Sequence, residues 1–169
     1  MRLLISRIYL YLAFSALFLL STSFVQAGER DFAFGINTSL NYFFESDNEL
    51  GDNAISFQFD YFANDRLHFT NQLEFGINGL YSKYFVSGVK WVPFPYSTML
   101  PYLAAQAVVQ FDDRFDAGVR GSGGLMIDLT EVFGWYNVLA FYETNITVLF
   151  REPASAAADI FRIGILFAF

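Results

Sequence analysis

The sequence contains no cysteine and a single histidine, His68, among its 169 residues. Without cysteine there is neither a disulfide framework nor a thiolate metal site, and one histidine excludes a multi-histidine metal cluster. Charged residues are also scarce, at 16% of the chain, whereas an ordinary soluble domain has roughly a quarter. We therefore expect no metal site, no cofactor and too little polar surface for a water-soluble domain.

Long apolar runs are missing everywhere except at the start of the chain. The first 27 residues combine Arg2 and Arg7, an apolar stretch from Ile8 to Leu20, and a small-residue cleavage site that ends at Ala27. This pattern predicts a signal peptide over residues 1–27 and a mature domain over residues 28–169, with an uncleaved membrane anchor as the alternative. Beyond it no apolar run reaches roughly 18 residues, which excludes a helical membrane domain.

Positive charge is the scarcer sign. The chain has 10 basic and 17 acidic residues, and removal of Arg2 and Arg7 with the signal leaves 8 basic residues and a net charge of −9. A nucleic-acid partner requires a basic surface, because phosphate contacts dominate such binding. The sequence therefore predicts no nucleic-acid partner.

Aromatic residues, by contrast, are abundant at 20% of the chain and lie in alternating segments. A strand directs successive side chains to opposite faces, so each segment predicts a strand with one apolar and one polar face. The lengths suit strands that cross a bilayer at a tilt. The eight segments are 31–44, 54–62, 66–78, 82–92, 100–111, 114–129, 134–150 and 159–169.

Charged residues within these segments fall in the polar columns, apart from Lys83 at the rim of the fourth segment. Eight strands enclose room for little more than filler side chains, so the Phe, Leu and Ile columns must face lipid. The sheet must close on itself into a barrel, because an open strand edge in hydrocarbon leaves backbone N–H and C=O groups unpaired. We therefore predict an all-β, eight-stranded antiparallel up-and-down transmembrane β-barrel, with a soluble barrel around an aromatic core as the alternative. The predicted interior ion-pair network comprises Asp60, Glu74, Lys90, Arg120, Asp128, Glu143 and Arg162.

Two further interior features have alternative interpretations. His68 and Thr70 resemble part of the His-x-Ser site of lipid A deacylases, but the serine is missing and the pair falls at the wrong end of the barrel. A hydrogen-bonding filler is favoured, because nucleophilic catalysis needs an activated nucleophile.

A group of inward apolar residues predicts either a small apolar pocket or packing below the charges. That group, which we assign to the lower half, is Val108, Met126, Leu139, Phe141 and Leu166.

The chain ends on a column of large apolar residues: Phe161, Ile163, Ile165, Phe167 and Phe169. With the signal peptide and the alternating segments, this terminal strand resembles the small eight-stranded outer-membrane barrels of Gram-negative bacteria, the OmpA-, OmpX- and OmpW-like proteins. The resemblance implies outer-membrane localisation, periplasmic termini and an assembly signal read by the barrel-assembly machinery. It places the outer loops at 45–53, 79–82, 112–114 and 151–158. We expect a monomer that contacts outer-membrane lipid and lipopolysaccharide.

The activity is less strongly indicated than the architecture, because one fold hosts many functions. We expect a structural or interaction role in envelope integrity for a barrel with a filled polar interior. The runner-up is a narrow channel or binding barrel for small or apolar solutes. A lipid A-modifying enzyme is third, and no catalytic residue is assigned.

Overall fold

A computed structural model describes residues 31–43, 52–76, 83–111, 115–150 and 155–169. The predicted signal peptide and most of the predicted outer loops lie outside these residues. The strands form a closed antiparallel barrel in which each strand pairs with its chain neighbours and β1 pairs with β8. This confirms the predicted fold class. The elements are β1 Phe32–Phe43, β2 Asp52–Asn64, β3 Leu67–Gly76, β4 Tyr84–Trp91, β5 Met99–Phe111, β6 Phe115–Asp128, the short helix α1 Leu129–Phe133, β7 Val138–Leu149 and β8 Ser155–Ala168.

Backbone hydrogen bonds near the start and end of the described chain identify one end of the barrel. Asp31 and Phe169 lie together at one end, where Phe32 N and Asp31 N both donate to Phe169 O. We call this the lower end, and the opposite end, where Gly76, Lys83, Phe111 and Phe115 lie, the upper end. Among the described residues, no helix is long and apolar enough to cross a membrane.

Burial alternates along the strands as the sequence predicts. In β7, Phe141, Glu143, Asn145 and Thr147 are buried, and the residues between them are exposed. The exposed positions of the strands are mainly Phe, Ile, Leu and Val, whereas the buried positions include most of the charged residues. The barrel therefore has an apolar exterior and a polar interior, which is the reverse of a soluble barrel.

The connection between β6 and β7 is longer than the gap between the predicted segments 114–129 and 134–150. The sequence assigns Asp128 to the interior network, but the structure places it at the N-cap of α1, where its side chain accepts a hydrogen bond of 2.9 Å from Thr130 N. Gly134 ends the helix with φ of 70°, a conformation that glycine adopts without steric cost. These two caps fix α1 at the lower end, so β7 begins at Val138 rather than at 134.

Gly35 lies where β1 closes against β8, and it is buried. A Cβ at this position would overlap the carbonyl oxygen of Ile165 and lie 2.7 Å from Leu166 Cδ2. We expect Gly35→Ala to destabilise the barrel by about 1–3 kcal/mol, because the backbone of a closed barrel cannot move aside. Urea midpoints of the folded band on unboiled gels measure this effect.

Gly121→Ala is the matched control for this prediction. Gly121 faces outward from β6, and among the described residues a Cβ there would meet no atom within 4 Å. Its midpoint should stay close to that of the wild type. Equal losses for the two variants would contradict the steric explanation.

Candidate functional site: the enclosed charged layer

The barrel interior is crossed by buried charged side chains that meet at one carboxylate. Arg120 from β6 makes a two-pronged ion pair with Glu74 from β3, with Nη1–Oε1 at 2.6 Å and Nη2–Oε2 at 3.0 Å. Arg162 from β8 reaches the same Oε1 atom at 2.5 Å. All three side chains are almost fully buried, at 0–3% exposure. Three strands are therefore joined through the centre of the barrel.

Asp159 is the second carboxylate that Arg162 contacts. Arg162 Nη2 lies 2.7 Å from Asp159 Oδ2, and Asn145 Nδ2 donates to the same oxygen at 3.2 Å. We call Glu74, Arg120, Glu143, Asp159 and Arg162 the charged layer. The Asp159–Arg162 contact is unexpected for a strand, because residues three apart normally face opposite sides.

A β-bulge in β8 explains why Asp159 and Arg162 face the same way. On the β1 side, Leu40 pairs with Phe161 and Asn41 with Asp159, so Ile160 is skipped. Ile160 and the adjacent Phe161 are exposed at 53% and 48%, whereas Asp159 and Arg162 are buried at 2% and 0%. An extra residue in one strand is the defining feature of a bulge, and here it turns an aspartate inward to pair with an arginine.

Glu143 occupies the edge of the charged layer. Its Oε2 accepts hydrogen bonds from Tyr102 at 2.9 Å and from Ser122 at 3.3 Å. The nearest ion-pair contact is Arg162 Nε, which is 3.9 Å from Oε1, and among the described residues Oε1 has no hydrogen-bond partner. Hydroxyl donors thus hold Glu143 more closely than any cation does.

A second ion pair lies below the charged layer. Lys90 Nζ is 2.8 Å from Asp60 Oδ2, and both side chains are fully buried. Gln58 Nε2 donates to Asp60 at 3.0 Å, and Gln58 Oε1 accepts from Gln72 at 3.3 Å. Since Gln72 also accepts from Arg162 at 2.5 Å, amide side chains connect this pair to the charged layer. Lys90 Nζ lies 4.8 Å from the Tyr102 ring centroid, within range of a cation–π contact.

Two apolar clusters pack inside the barrel on either side of these charges. The lower cluster contains Met126, Leu139, Phe141 and Leu166, four of the five residues predicted for the apolar group. The fifth, Val108, packs with the upper cluster, so the structure corrects its predicted position. The reason is the length of β5: Val108 is near its upper end, opposite Val86. The upper cluster is Ala54, Tyr84, Val86, Val108 and Leu149.

The alternation in the sequence predicts most of the charged residues of the site but not several of their hydrogen-bond partners. Glu74, Arg120, Glu143 and Arg162 meet, and Asp60 and Lys90 form a separate pair. The partners it missed are Gln58, Gln72, Tyr102 and Asp159. Gln58 and Gln72 could have been found from the sequence, because the alternation puts both amide side chains on the inner face of the barrel. Asp159 could not, because regular alternation puts it on the outer face with Phe161, and only the bulge at Ile160 turns it inward.

His68 lies at the lower end of β3, away from the charged layer. Its ring stands edge-on to Phe62 with centroids 4.5 Å apart, and the side chain is 6% exposed. Thr70 follows on the same inner face and is fully buried. This enclosed position beside an aromatic ring suits a filler side chain.

The terminal apolar column faces outward along β8. Ile163, Ile165 and Phe167 are 42–54% exposed. Phe169 is also exposed, and its backbone N donates to Phe32 O at 2.8 Å. The last residue therefore completes the ladder that closes the barrel.

Comparison with solved structures shows the same fold. The crystal structure of Neisserial surface protein A (NspA) matches with a TM-score of 0.63 at 14% identity, covering 82% of this chain and 97% of that chain. The N-terminal β-barrel domain of Pseudomonas aeruginosa OprF matches with a TM-score of 0.58 at 15% identity, covering 81% and 97%. A de novo designed transmembrane β-barrel matches with a TM-score of 0.56 at 10% identity, covering 85% and 100%. No protein-family model matches the chain, and no curated protein matches its sequence.

The closed barrel, its apolar exterior and these likenesses define the class of protein. The chain is a small eight-stranded transmembrane barrel of the bacterial outer-membrane type. Its exposed strand positions carry mainly Phe, Ile and Leu side chains, the kind of apolar exterior that a barrel of this class turns towards lipid.

Proposed function

We propose that this protein is a structural component of the outer membrane whose interior is closed rather than open as a pore. The observation that carries the proposal is the meeting of Arg120 and Arg162 at Glu74, in the middle of the barrel. Eight strands enclose little space beyond their own side chains. Long side chains that converge from three strands therefore leave no room for a continuous water path.

The two apolar clusters support the same proposal. Tyr84 and Leu149 fill the upper part of the interior, and Met126, Phe141 and Leu166 fill the lower part, all at 5% exposure or less. Ions crossing the barrel would have to pass both clusters as well as the charged layer. A filled barrel of this kind acts through its surface, so we propose a role in envelope integrity and no catalytic role.

The proposed partners follow from the exterior. The outward apolar residues support contact with outer-membrane lipid and lipopolysaccharide. The terminal column that ends at Phe169 supports recognition by the barrel-assembly machinery. We also retain the proposal that residues 1–27 are a signal peptide and residues 28–169 the mature barrel, because export precedes assembly in an outer membrane.

Liposome swelling and planar-bilayer recording test the closed interior. Vesicles that contain the refolded protein should swell in small sugars no faster than empty vesicles, and bilayers should show no steady open channel. A porin of known open pore, inserted at the same density, is the positive control. A steady conductance of the wild-type protein would overturn the closed interior.

Genetic deletion tests the envelope role separately. Loss of the gene in its own bacterium should raise sensitivity to bile salts and to large antibiotics, and the wild-type gene should restore resistance. A deletion strain with an intact barrier but slower uptake of one small solute would contradict the structural role and support the runner-up.

One feature of the interior favours that runner-up, a narrow channel or binding barrel. Thr70 and Gln106 flank Gly88 on neighbouring strands. Thr70 Oγ1 and both amide heteroatoms of Gln106 are buried and make no hydrogen bond to the described residues. Such atoms suit a small polar solute, because buried polar groups are normally hydrogen-bonded.

A further inference from the structure

Asn71 is a polar residue in the middle of the lipid-facing surface. It is the fifth of the 10 residues of β3 and points outward, with Phe69 and Leu73 beside it on the same face. Of the other Asn and Gln side chains that the structure describes in strands, Asn64 is exposed at the end of β2, beside a turn, and the rest are buried. A lipid acyl chain offers no hydrogen-bond partner, and an unsatisfied polar group in hydrocarbon costs several kcal/mol.

Ser87 on β4 satisfies only part of the hydrogen-bonding capacity of Asn71. The two residues are Cα partners, and Ser87 Oγ donates to Asn71 Oδ1 at 2.8 Å. A carboxamide also carries two N–H donors, and a hydroxyl oxygen accepts as well as donates. Among the described residues nothing accepts from Asn71 Nδ2 and nothing donates to Ser87 Oγ. The pair therefore presents a donor and an acceptor side by side to the lipid.

We propose that the β3–β4 face is the contact surface of a homodimer. A second copy fits because Asn71 and Ser87 are self-complementary: each copy supplies the donor that the other copy accepts. A two-fold axis between the copies would form two equivalent hydrogen bonds from Asn71 Nδ2 to Ser87 Oγ of the other copy, as an isologous interface requires. The proposal departs from the monomer that the sequence suggests.

Thiol cross-linking tests the proposal cleanly, because the chain has no cysteine. Val89→Cys places one thiol on the outer face of β4, next to Ser87. Ile163→Cys places a matched thiol on the outer face of β8, across the barrel. Each full-length variant is reconstituted into phospholipid vesicles at high lipid excess and treated with a short bis-maleimide. We expect several-fold more covalent dimer from Val89→Cys than from Ile163→Cys.

Asn71→Leu in the Val89→Cys background identifies the group responsible. Two hydrogen bonds of the strength measured between membrane segments correspond to about an eightfold change in association constant. The cross-linked fraction should therefore fall towards that of Ile163→Cys, while the heat-modifiable folded band stays unchanged. Equal cross-linking at the two sites would overturn the dimer and leave a monomer. Cross-linking that survives Asn71→Leu would overturn the role of the polar pair.

Discussion

Glu74→Gln should cost about 3–5 kcal/mol of unfolding free energy, because it leaves two buried guanidinium groups without their shared carboxylate. Arg120 makes both of its Glu74 contacts through charge-assisted hydrogen bonds, and Arg162 contacts the same oxygen. Glutamine preserves the shape of the side chain but removes its charge. Urea unfolding in lipid vesicles, followed by the fluorescence of the two tryptophans, measures the loss.

Two further variants control for this prediction. Asp65→Asn removes a carboxylate from an exposed turn, where Asp65 accepts from Tyr96 at 3.1 Å, and should cost less than about 1 kcal/mol. Glu74→Gln combined with Arg120→Gln restores the charge balance and leaves Arg162 with Asp159, so it should recover part of the loss. If Glu74→Gln were as stable as Asp65→Asn, the charged layer would not hold the strands together.

Ile36→Arg should destabilise the barrel by about 2–4 kcal/mol, the cost of an arginine near the bilayer midplane on the lipid face. Ile36 is 54% exposed and pairs with Phe57 and Ile165, which also face outward. The arginine would therefore lie among apolar side chains and acyl chains. The same urea titration in vesicles measures the effect.

Phe94→Arg is the matched control at a different depth. Phe94 is 65% exposed in the connection between β4 and β5, at the lower end of the barrel. An arginine near the membrane interface costs only about 0–1 kcal/mol. If Ile36→Arg cost as little unfolding free energy as Phe94→Arg, the exposed face of β1 would lie in water.

Period-two alternation was enough to predict the number of strands and the direction of most side chains. Phe57 and Gln58 illustrate why: adjacent residues of one strand must face opposite sides, and the apolar one can lie only in lipid. The same rule placed Glu74, Glu143 and Arg162 inside. The alternation of Phe69 and Leu73 likewise puts Asn71 on the outer face, but its hydrogen bond with Ser87 is visible only in the structure.

The sequence by itself thus determined an inside-out barrel with buried charges, because facing is a local property of a strand. Only the tertiary structure decided which charges meet. Arg162 in β8 contacts Glu74 in β3, and this contact depends on strand tilt and on closure of β1 against β8. The bulge at Ile160 turned Asp159 inward, and the length of β5 raised Val108 into the upper cluster. Neither is visible in a regular alternation, because height within a barrel and a shift in register are set by the pairing of all eight strands together.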